Sequence, residues 1–182
     1  MPNVSIFAGL TGRDGNPTGS DLRSLVIAAF GTNKRGGPDT RKAAQKLGVS
    51  QRTVQRWLAG ENRKERAKPR KDNLSKLKVR ARQASTTKRG RTEAIQQRKA
   101  MFANRSSVKI SVNGMQGPAI GGREYARPRQ VTLDLTGDQA NMLFDAYSEG
   151  GENQFQGLLS QHFSDNYVDS WEFQSITGLK FF

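Results

Sequence analysis

Five polar residues in one short segment have side chains of the kinds that bond to base edges and phosphates. They are Gln51, Arg52, Thr53, Gln55 and Arg56. Amide and guanidinium groups pair with purine edges in the major groove of DNA, and a threonine hydroxyl can bond to a base or a phosphate. The apolar residues between them recur at helical spacing, which leaves these five on the outward side of a short helix. The pattern favours a helix that contacts double-stranded DNA.

The sequence around these residues predicts the helix-turn-helix that would position them. In TRKAAQKLGVSQRTVQRWLA we expect a first helix from Thr40, its candidate N-cap, to Leu47. Gly48 would end that helix in the left-handed conformation, and Ser50 would cap a second helix that ends near Ala59. Ser50, at the start of the second helix, is also a predicted DNA contact. The shared core is expected to contain Ala44, Leu47, Val49, Val54, Trp57 and Leu58. The alternative is a helical hairpin with a solvated basic face.

The charge of the chain is strongly uneven. Its 182 residues carry a net charge of +14, and the stretch from Lys34 to Lys109 has 24 basic against 5 acidic residues. From Gln130 to Phe182 there are 8 acidic residues and 1 basic residue, Lys180. A basic stretch of this size attracts nucleic acid through counterion release, and it lacks the apolar helix face that a membrane surface would require. We expect the basic part to bind DNA and the acidic part to face another partner.

The pattern of apolar residues predicts an α+β protein. We expect a loose segment over 1–19, an all-α helix-turn-helix domain over 20–60, a basic helical arm over 61–105 and a small α+β domain over 106–182. A further helix from Leu22 to Phe30, capped by Ser20 or Asp21, would complete the helical domain. The C-terminal domain is predicted as roughly ββααβ.

The basic arm is a second candidate DNA contact. A helix starting at Asp72 or Asn73 carries few apolar residues, and basic side chains fill most other positions. On DNA such an arm would follow the phosphates rather than read bases. The alternative is a solvated, partly disordered tail. The predicted phosphate contacts of the arm are Arg70, Lys71, Lys78 and Arg82.

The C-terminal domain has its own strand and helix signals. SVKISV from Ser107 alternates as a strand, 114–122 is rich in Gly and Pro and is predicted as a loop, and VTLDL from Val131 alternates again. Thr136 would cap a helix ended by Gly150 and Gly151. A second helix over 152–163 and a closing aromatic strand would follow.

Several classes of function lack the residues that they need. The chain has no cysteine and one histidine, His162, which excludes disulfides, cysteine-based zinc sites and sites that require several histidines. No Walker-type phosphate loop and no paired aspartates of the polymerase kind are present. We therefore expect no enzymatic activity, no catalytic residue, no metal site and no intrinsic cofactor. No signal peptide or membrane-spanning stretch is evident, so we expect no membrane association and a cytoplasmic, nucleoid-associated location.

Four stretches resemble the terminal proteins that cap linear replicons of actinomycetes, the Tpg-type telomere proteins. They are LGVSQRTVQRW, PRKDNLSKL, AIGGREYARPRQVTLDL and MLFDAYSEGG, in that order, and the resemblance covers about Thr40 to Phe182. It implies a protein that primes DNA synthesis by offering a side-chain hydroxyl, which then remains bound to the 5′ nucleotide. Its implied partners are telomeric double-stranded DNA, a DNA polymerase and a telomere-binding protein.

The hydroxyl would lie on a flexible basic loop, which we expect over 114–129. Similar proteins carry a threonine just after Ile-Gly, where this sequence has Gly122, so the attachment residue cannot be transferred. Tyr125 is the candidate attachment residue, while Ser111 and Thr132, at strand positions, are weaker candidates. An ordinary half-buried aromatic beside a strand is the alternative for Tyr125. The arginines expected to offset phosphate charge are Arg123, Arg127 and Arg129.

A second function remains open at this point. A helix-turn-helix transcriptional regulator whose C-terminal domain forms a homodimer would show the same basic segment. It would bind reversibly to a palindromic site with half-sites about one helical turn apart. A terminal protein would instead be recovered covalently attached to DNA ends.

Overall fold

The chain has a mixed α+β fold, as the sequence predicts. The computed structural model describes residues 4–13, 21–59, 67–102, 105–120 and 123–182. These ranges form two compact units, of which the first, the helical unit, spans Arg13–Thr87. The second, the sheet unit, combines Met1–Gly12 with Lys88–Phe182. The helical unit is therefore inserted between two parts of the sequence that fold together. This boundary, at Thr87, differs from the continuous arm expected over 61–105.

The helical unit contains four helices within its described residues. They are α2 (Leu22–Phe30), α3 (Thr40–Leu47), α4 (Gln51–Leu58) and α5 (Lys71–Thr86). Asp21 caps α2, and hydrogen bonds from the Ser24 hydroxyl and the Arg23 backbone N–H hold the pKa of its carboxyl below the usual value. The predicted bounds of α2 are confirmed, because its apolar stripe and its cap are both local signals.

The arm prediction for the segment after Arg70 was wrong, because α5 packs on the other helices. Leu77 is fully buried and joins Ala81 in the same core as Leu25 and Trp57. Leu74 packs partly buried against that core. The helix also begins at Lys71, one residue before the predicted start, and Arg70 at the N-cap makes no side-chain capping bond. Four apolar or small residues at helical spacing were enough to bury one side of α5, although charged residues surround them.

The sheet unit is built around one long central strand. β1 (Ser107–Ile120) pairs antiparallel with β3 (Arg127–Thr136) on one edge and with β4 (Trp171–Phe181) on the other. The short β2 (Arg123–Glu124) pairs with the end of β1. The predicted loop over 114–122 was wrong for 114–120, which continue β1. Backbone partners come from β3 as far as Gln116, from β4 as far as Pro118 and from β2 for the last two residues. Gly121 and Gly122 lie outside the described residues.

In the part of the chain that the structure describes, three helices accompany the sheet. α7 (Gly137–Asn166) begins at Thr136, whose side chain and Gln139 form a reciprocal capping box. It is kinked at Gly151, where φ is 72°. Because Gly151 has non-helical dihedral angles, α7 consists of two helices joined at this residue, and the break predicted at Gly150 and Gly151 is confirmed. Alongside it lies α6 (Lys88–Phe102), while α1 (Val4–Thr11) packs on β4.

The N-terminal segment is ordered where a loose chain was predicted. Ile6, Phe7 and Leu10 are fully buried, and Gly9 approaches β4 so closely that a Cβ atom there would lie 2.5 Å from the Cβ of Leu179. The prediction was wrong for residues 4–11 because their burial depends on a strand more than 160 residues away in sequence. No helix in the described ranges is both long enough and apolar enough to cross a bilayer.

Candidate nucleic-acid interface

The tight connection between α3 and α4 sets the direction of the second helix. Gly48 adopts the left-handed conformation with φ 69° and ψ 35°, and the Val49 N–H donates to the Ala44 carbonyl at 3.1 Å. The Ser50 hydroxyl then accepts from the Thr53 N–H, which caps α4. Both predictions are confirmed. The predicted cap at Thr40 was wrong, because the carboxylate of Asp39 accepts from the Lys42 N–H and caps α3.

The two sides of α4 differ sharply in burial. Val54 and Trp57 lie in the core of the helical unit, while Arg52, Gln55 and Arg56 on the other side are exposed. Arg52 and Arg56 are separated by one helical turn and so project from the same face. The structure therefore places three of the predicted reading residues together on an open helix surface.

The remaining polar residues of α4 are partly engaged within the protein. The Gln51 amide donates to the Thr40 hydroxyl at 3.0 Å, which links the starts of α3 and α4. The Ser50 and Thr53 hydroxyls lie 2.8 Å apart and share a hydrogen bond. Gln51 still has a second amide hydrogen and its carbonyl oxygen to offer to a base. Sequence reasoning missed the link from Gln51 to Thr40, since no local pattern relates residues on two helices.

The four basic residues predicted on the arm are exposed on α5 or just before it. Lys71, Lys78 and Arg82 are spaced by seven and four residues and therefore lie on one flank of the helix. Arg70 is also exposed and precedes the first turn. Because α5 packs on α2 and α3, these cations are held by the same folded unit that presents α4. They are fixed charges on a helix rather than a solvated tail.

Almost the whole net charge belongs to the helical unit. Residues 13–87 include 19 Lys and Arg against 6 Asp and Glu, a net of +13, while the sheet unit has 11 against 10. The acidic residues of α7 are partly matched by α6: Lys99 Nζ lies 2.8 Å from Asp145 Oδ1, and Lys88 forms an ion pair with Glu149. The acidic C-terminal sequence therefore does not make the sheet unit strongly negative.

Three further arginines of the sequence prediction lie on the short strand β2 and on β3. Tyr125 is 44% exposed between β2 and β3, and Arg127 is exposed beside it. One Nη of Arg129 donates to the Tyr125 carbonyl at 3.3 Å, and its guanidinium lies over the ring of Trp171 at 5.6 Å. Arg123 lies in β2.

The weaker hydroxyl candidates differ in accessibility. Ser111 is buried at the centre of the sheet, where its hydroxyl accepts from the Gln130 amide at 3.0 Å. Thr132 lies on β3 with its side chain exposed, and its carbonyl accepts a hydrogen bond from the Tyr167 hydroxyl. Ser111 is therefore inaccessible. Tyr125 is the exposed candidate whose backbone carbonyl is bonded to an arginine, Arg129.

Three titratable groups of the sheet unit have pKa values shifted mainly by burial. Burial raises the pKa of the Tyr147 phenol and lowers the pKa of the His162 imidazole, both on α7. Burial and the nearby charge of Arg105 lower the pKa of Arg98. Within the described ranges, no group of three or more His, Cys, Asp or Glu side chains could hold a metal ion.

Comparison with protein-family models, curated proteins and solved structures finds no match to this chain. The resemblance to terminal proteins therefore rests on the four sequence stretches alone.

Proposed function

We propose that this protein binds double-stranded DNA by placing α4 in the major groove. The observation that carries the proposal is the exposed row of Arg52, Gln55 and Arg56 opposite the buried Val54 and Trp57. A guanidinium pairs with guanine and a side-chain amide with adenine, so this row has the chemistry of base recognition. The turn at Gly48 and the packing of α3 leave that face of α4 open.

The flank of α5 supplies the contacts to the DNA backbone. Arg70, Lys71, Lys78 and Arg82 fix the orientation of the helical unit on the duplex without reading sequence. The net charge of +13 in this unit supports binding by counterion release.

We further propose that the chain caps and primes linear DNA ends, as its resemblance to Tpg-type terminal proteins implies. Tyr125 is the proposed attachment residue, since its side chain is exposed and Arg127 and Arg129 lie close in sequence. Its oxygen would attack the α-phosphorus of a nucleoside triphosphate and form a new O–P bond. Pyrophosphate leaves as the bond to the β-phosphate breaks, and the phenolic proton passes to a base supplied, with the metal ions, by the polymerase.

The decisive experiment examines protein extracted from its host in denaturing detergent. A terminal protein carries covalent DNA, so its electrophoretic mobility should change after nuclease treatment. Mapping the nucleotide-labelled peptide after incubation with polymerase should then identify Tyr125, and Tyr125→Phe should lose the label. Full labelling of Tyr125→Phe would reject this residue. Unaltered mobility, together with reversible binding to a palindromic site, would favour a transcriptional regulator.

Other parts of the proposal follow from this role. The protein would be a substrate of the polymerase and not itself an enzyme, and it would reside with the nucleoid in the cytoplasm. A telomere-binding protein is the expected additional partner, and a homodimer belongs to the regulator alternative.

A further inference from the structure

The described aromatic side chains are mostly buried, but Tyr125 is exposed, and arginines lie near it in the sequence. Of residues 117–130, three are arginines and one is glutamate. The sheet unit as a whole has a net charge of only +1. The arginines therefore lie on the β2 and β3 side of this end of the sheet, whereas the acidic Asp169 and Glu172 lie on the β4 side, where Glu172 pairs with Gly117.

Two hydrogen bonds and one close backbone approach hold the backbone of Tyr125 in place. Its N–H donates to the Pro118 carbonyl at 3.1 Å, and its own carbonyl accepts from Arg129. Gly117 allows the backbone at Tyr125 to pack closely against β1, because a Cβ atom on Gly117 would lie only 2.5 Å from the Tyr125 carbonyl oxygen. The ring is therefore presented from a fixed backbone, which lowers the entropy lost when it binds a ligand.

The Arg129 guanidinium, which bonds to the Tyr125 carbonyl, is fixed as well. Arg129 lies over Trp171, and Trp171 packs against Tyr167 with ring centroids 5.8 Å apart. The Tyr167 ring is itself 46% exposed. Arg129 and the exposed Tyr167 therefore meet at one buried tryptophan, and Arg129 also bonds to the backbone of Tyr125.

We infer that this surface, formed by Tyr125, Arg127, Arg129 and Tyr167, binds single-stranded DNA. An aromatic ring can stack only on a base whose face is free, which paired bases within a duplex do not offer. Arginines next to such a ring neutralise the phosphates of the same strand, as in other single-strand binding surfaces. The inference rests on the proposed function and deepens it. The sheet unit would bind single-stranded DNA, while the helical unit binds double-stranded DNA.

Fluorescence anisotropy of the full-length protein with a labelled oligothymidylate tests the inference. We expect Tyr125→Ala to weaken binding of the oligonucleotide about tenfold, in line with the loss of one stacked base. Tyr125→Phe should stay within about twofold, because the ring is kept. Binding of a blunt duplex should change less than about twofold in both variants. Met142→Ala, which removes another exposed apolar side chain of the sheet unit, is the matched control.

Unchanged oligonucleotide binding in Tyr125→Ala would overturn the inference, as would equal losses in the Ala and Phe variants. Photocrosslinking with a 4-thiothymidine oligonucleotide provides a second readout that needs no variant. Crosslinks should map to the peptide containing Tyr125, and crosslinks confined to the helical unit would contradict the inference.

The result is separable from the outcome for nucleotide attachment. Tyr125→Phe removes the nucleophile but keeps the stacking ring, so it should lose covalent labelling while binding the oligonucleotide normally. Loss of labelling in the Phe variant with unchanged oligonucleotide binding in the Ala variant would support the proposed function and reject this inference.

Discussion

Arg52 and Gln51 are the two side chains of α4 that we expect to contribute most to base recognition. Arg52 is exposed on the open face, and Gln51 shares one amide hydrogen with Thr40 at 3.0 Å. We expect Arg52→Ala to cost about 1–3 kcal/mol of binding free energy on a specific site, and Gln51→Ala a similar amount. Competition binding against a randomised duplex measures the loss.

A phosphate-contacting residue provides the contrast for that measurement. Lys78→Ala should weaken specific and random duplexes about equally, because a phosphate contact does not depend on the base. If neither Arg52→Ala nor Gln51→Ala changes discrimination between sequences, α4 is not the reading helix.

The helix α5 has a buried side that contributes to the helical core and an exposed side that carries the basic residues, and substitutions on the two sides should differ in their effect on stability. Leu77→Ala should destabilise the helical unit by about 2–5 kcal/mol, because it removes a fully buried side chain from the core. Val79→Ala on the exposed side of the same helix is the matched control and should change stability by less than about 0.5 kcal/mol. Urea unfolding followed by tryptophan fluorescence gives both values.

Equal, small effects of the two α5 substitutions would support the alternative of a solvated, partly disordered tail. A large effect of Leu77→Ala alone would tie the basic flank of α5 to the folded DNA-binding surface.

Arg91 stabilises the kinked helix α7 from outside. Its Nε donates to the Tyr147 carbonyl at 3.1 Å, four residues before the kink at Gly151, and its guanidinium lies 5.9 Å from the Tyr147 ring centre. In a straight helix the N–H of Gly151 would use that carbonyl. We expect Arg91→Met to lower the unfolding free energy by about 1.5–3 kcal/mol, measured by chemical denaturation.

Arg89→Met is the control for this substitution. Its side chain is 85% exposed and pairs only loosely with Glu93 at 3.9 Å, so we expect a change below about 0.5 kcal/mol. A loss in Arg89→Met as large as in Arg91→Met would show that general charge removal, and not the bond to α7, is responsible.

At the scale of the whole molecule, the charge difference between the two units predicts how salt affects binding. The affinity for duplex DNA should fall linearly on a log–log plot against salt concentration, with a slope of about −0.9 for each phosphate neutralised. Lys71→Ala, Lys78→Ala and Arg82→Ala should each reduce the slope by about one. Lys180→Ala in the sheet unit should leave the slope unchanged, and an equal reduction there would contradict a duplex surface confined to the helical unit.

The order of the two units along the chain was not predictable from local patterns. The bounds of α2, the left-handed Gly48 and the cap at Ser50 follow from neighbouring residues and were predicted correctly. Asp39 was missed as the cap of α3 because Thr40 beside it is also a capping type, although aspartate is the more favoured of the two. The continuation of β1 beyond Gly114 was missed because glycines and prolines usually mark loops, whereas here two partner strands supply the hydrogen bonds.

The sequence alone determined the outward polar row of α4 and the uneven charge, because both depend on residue types and on spacing within a few helical turns. Tertiary structure decided that α5 belongs to the helical core, that α1 joins the sheet, and that Tyr125 is held between Pro118 and Arg129. These features depend on burial and hydrogen bonding between segments far apart in the chain, for which a local pattern contains no signal.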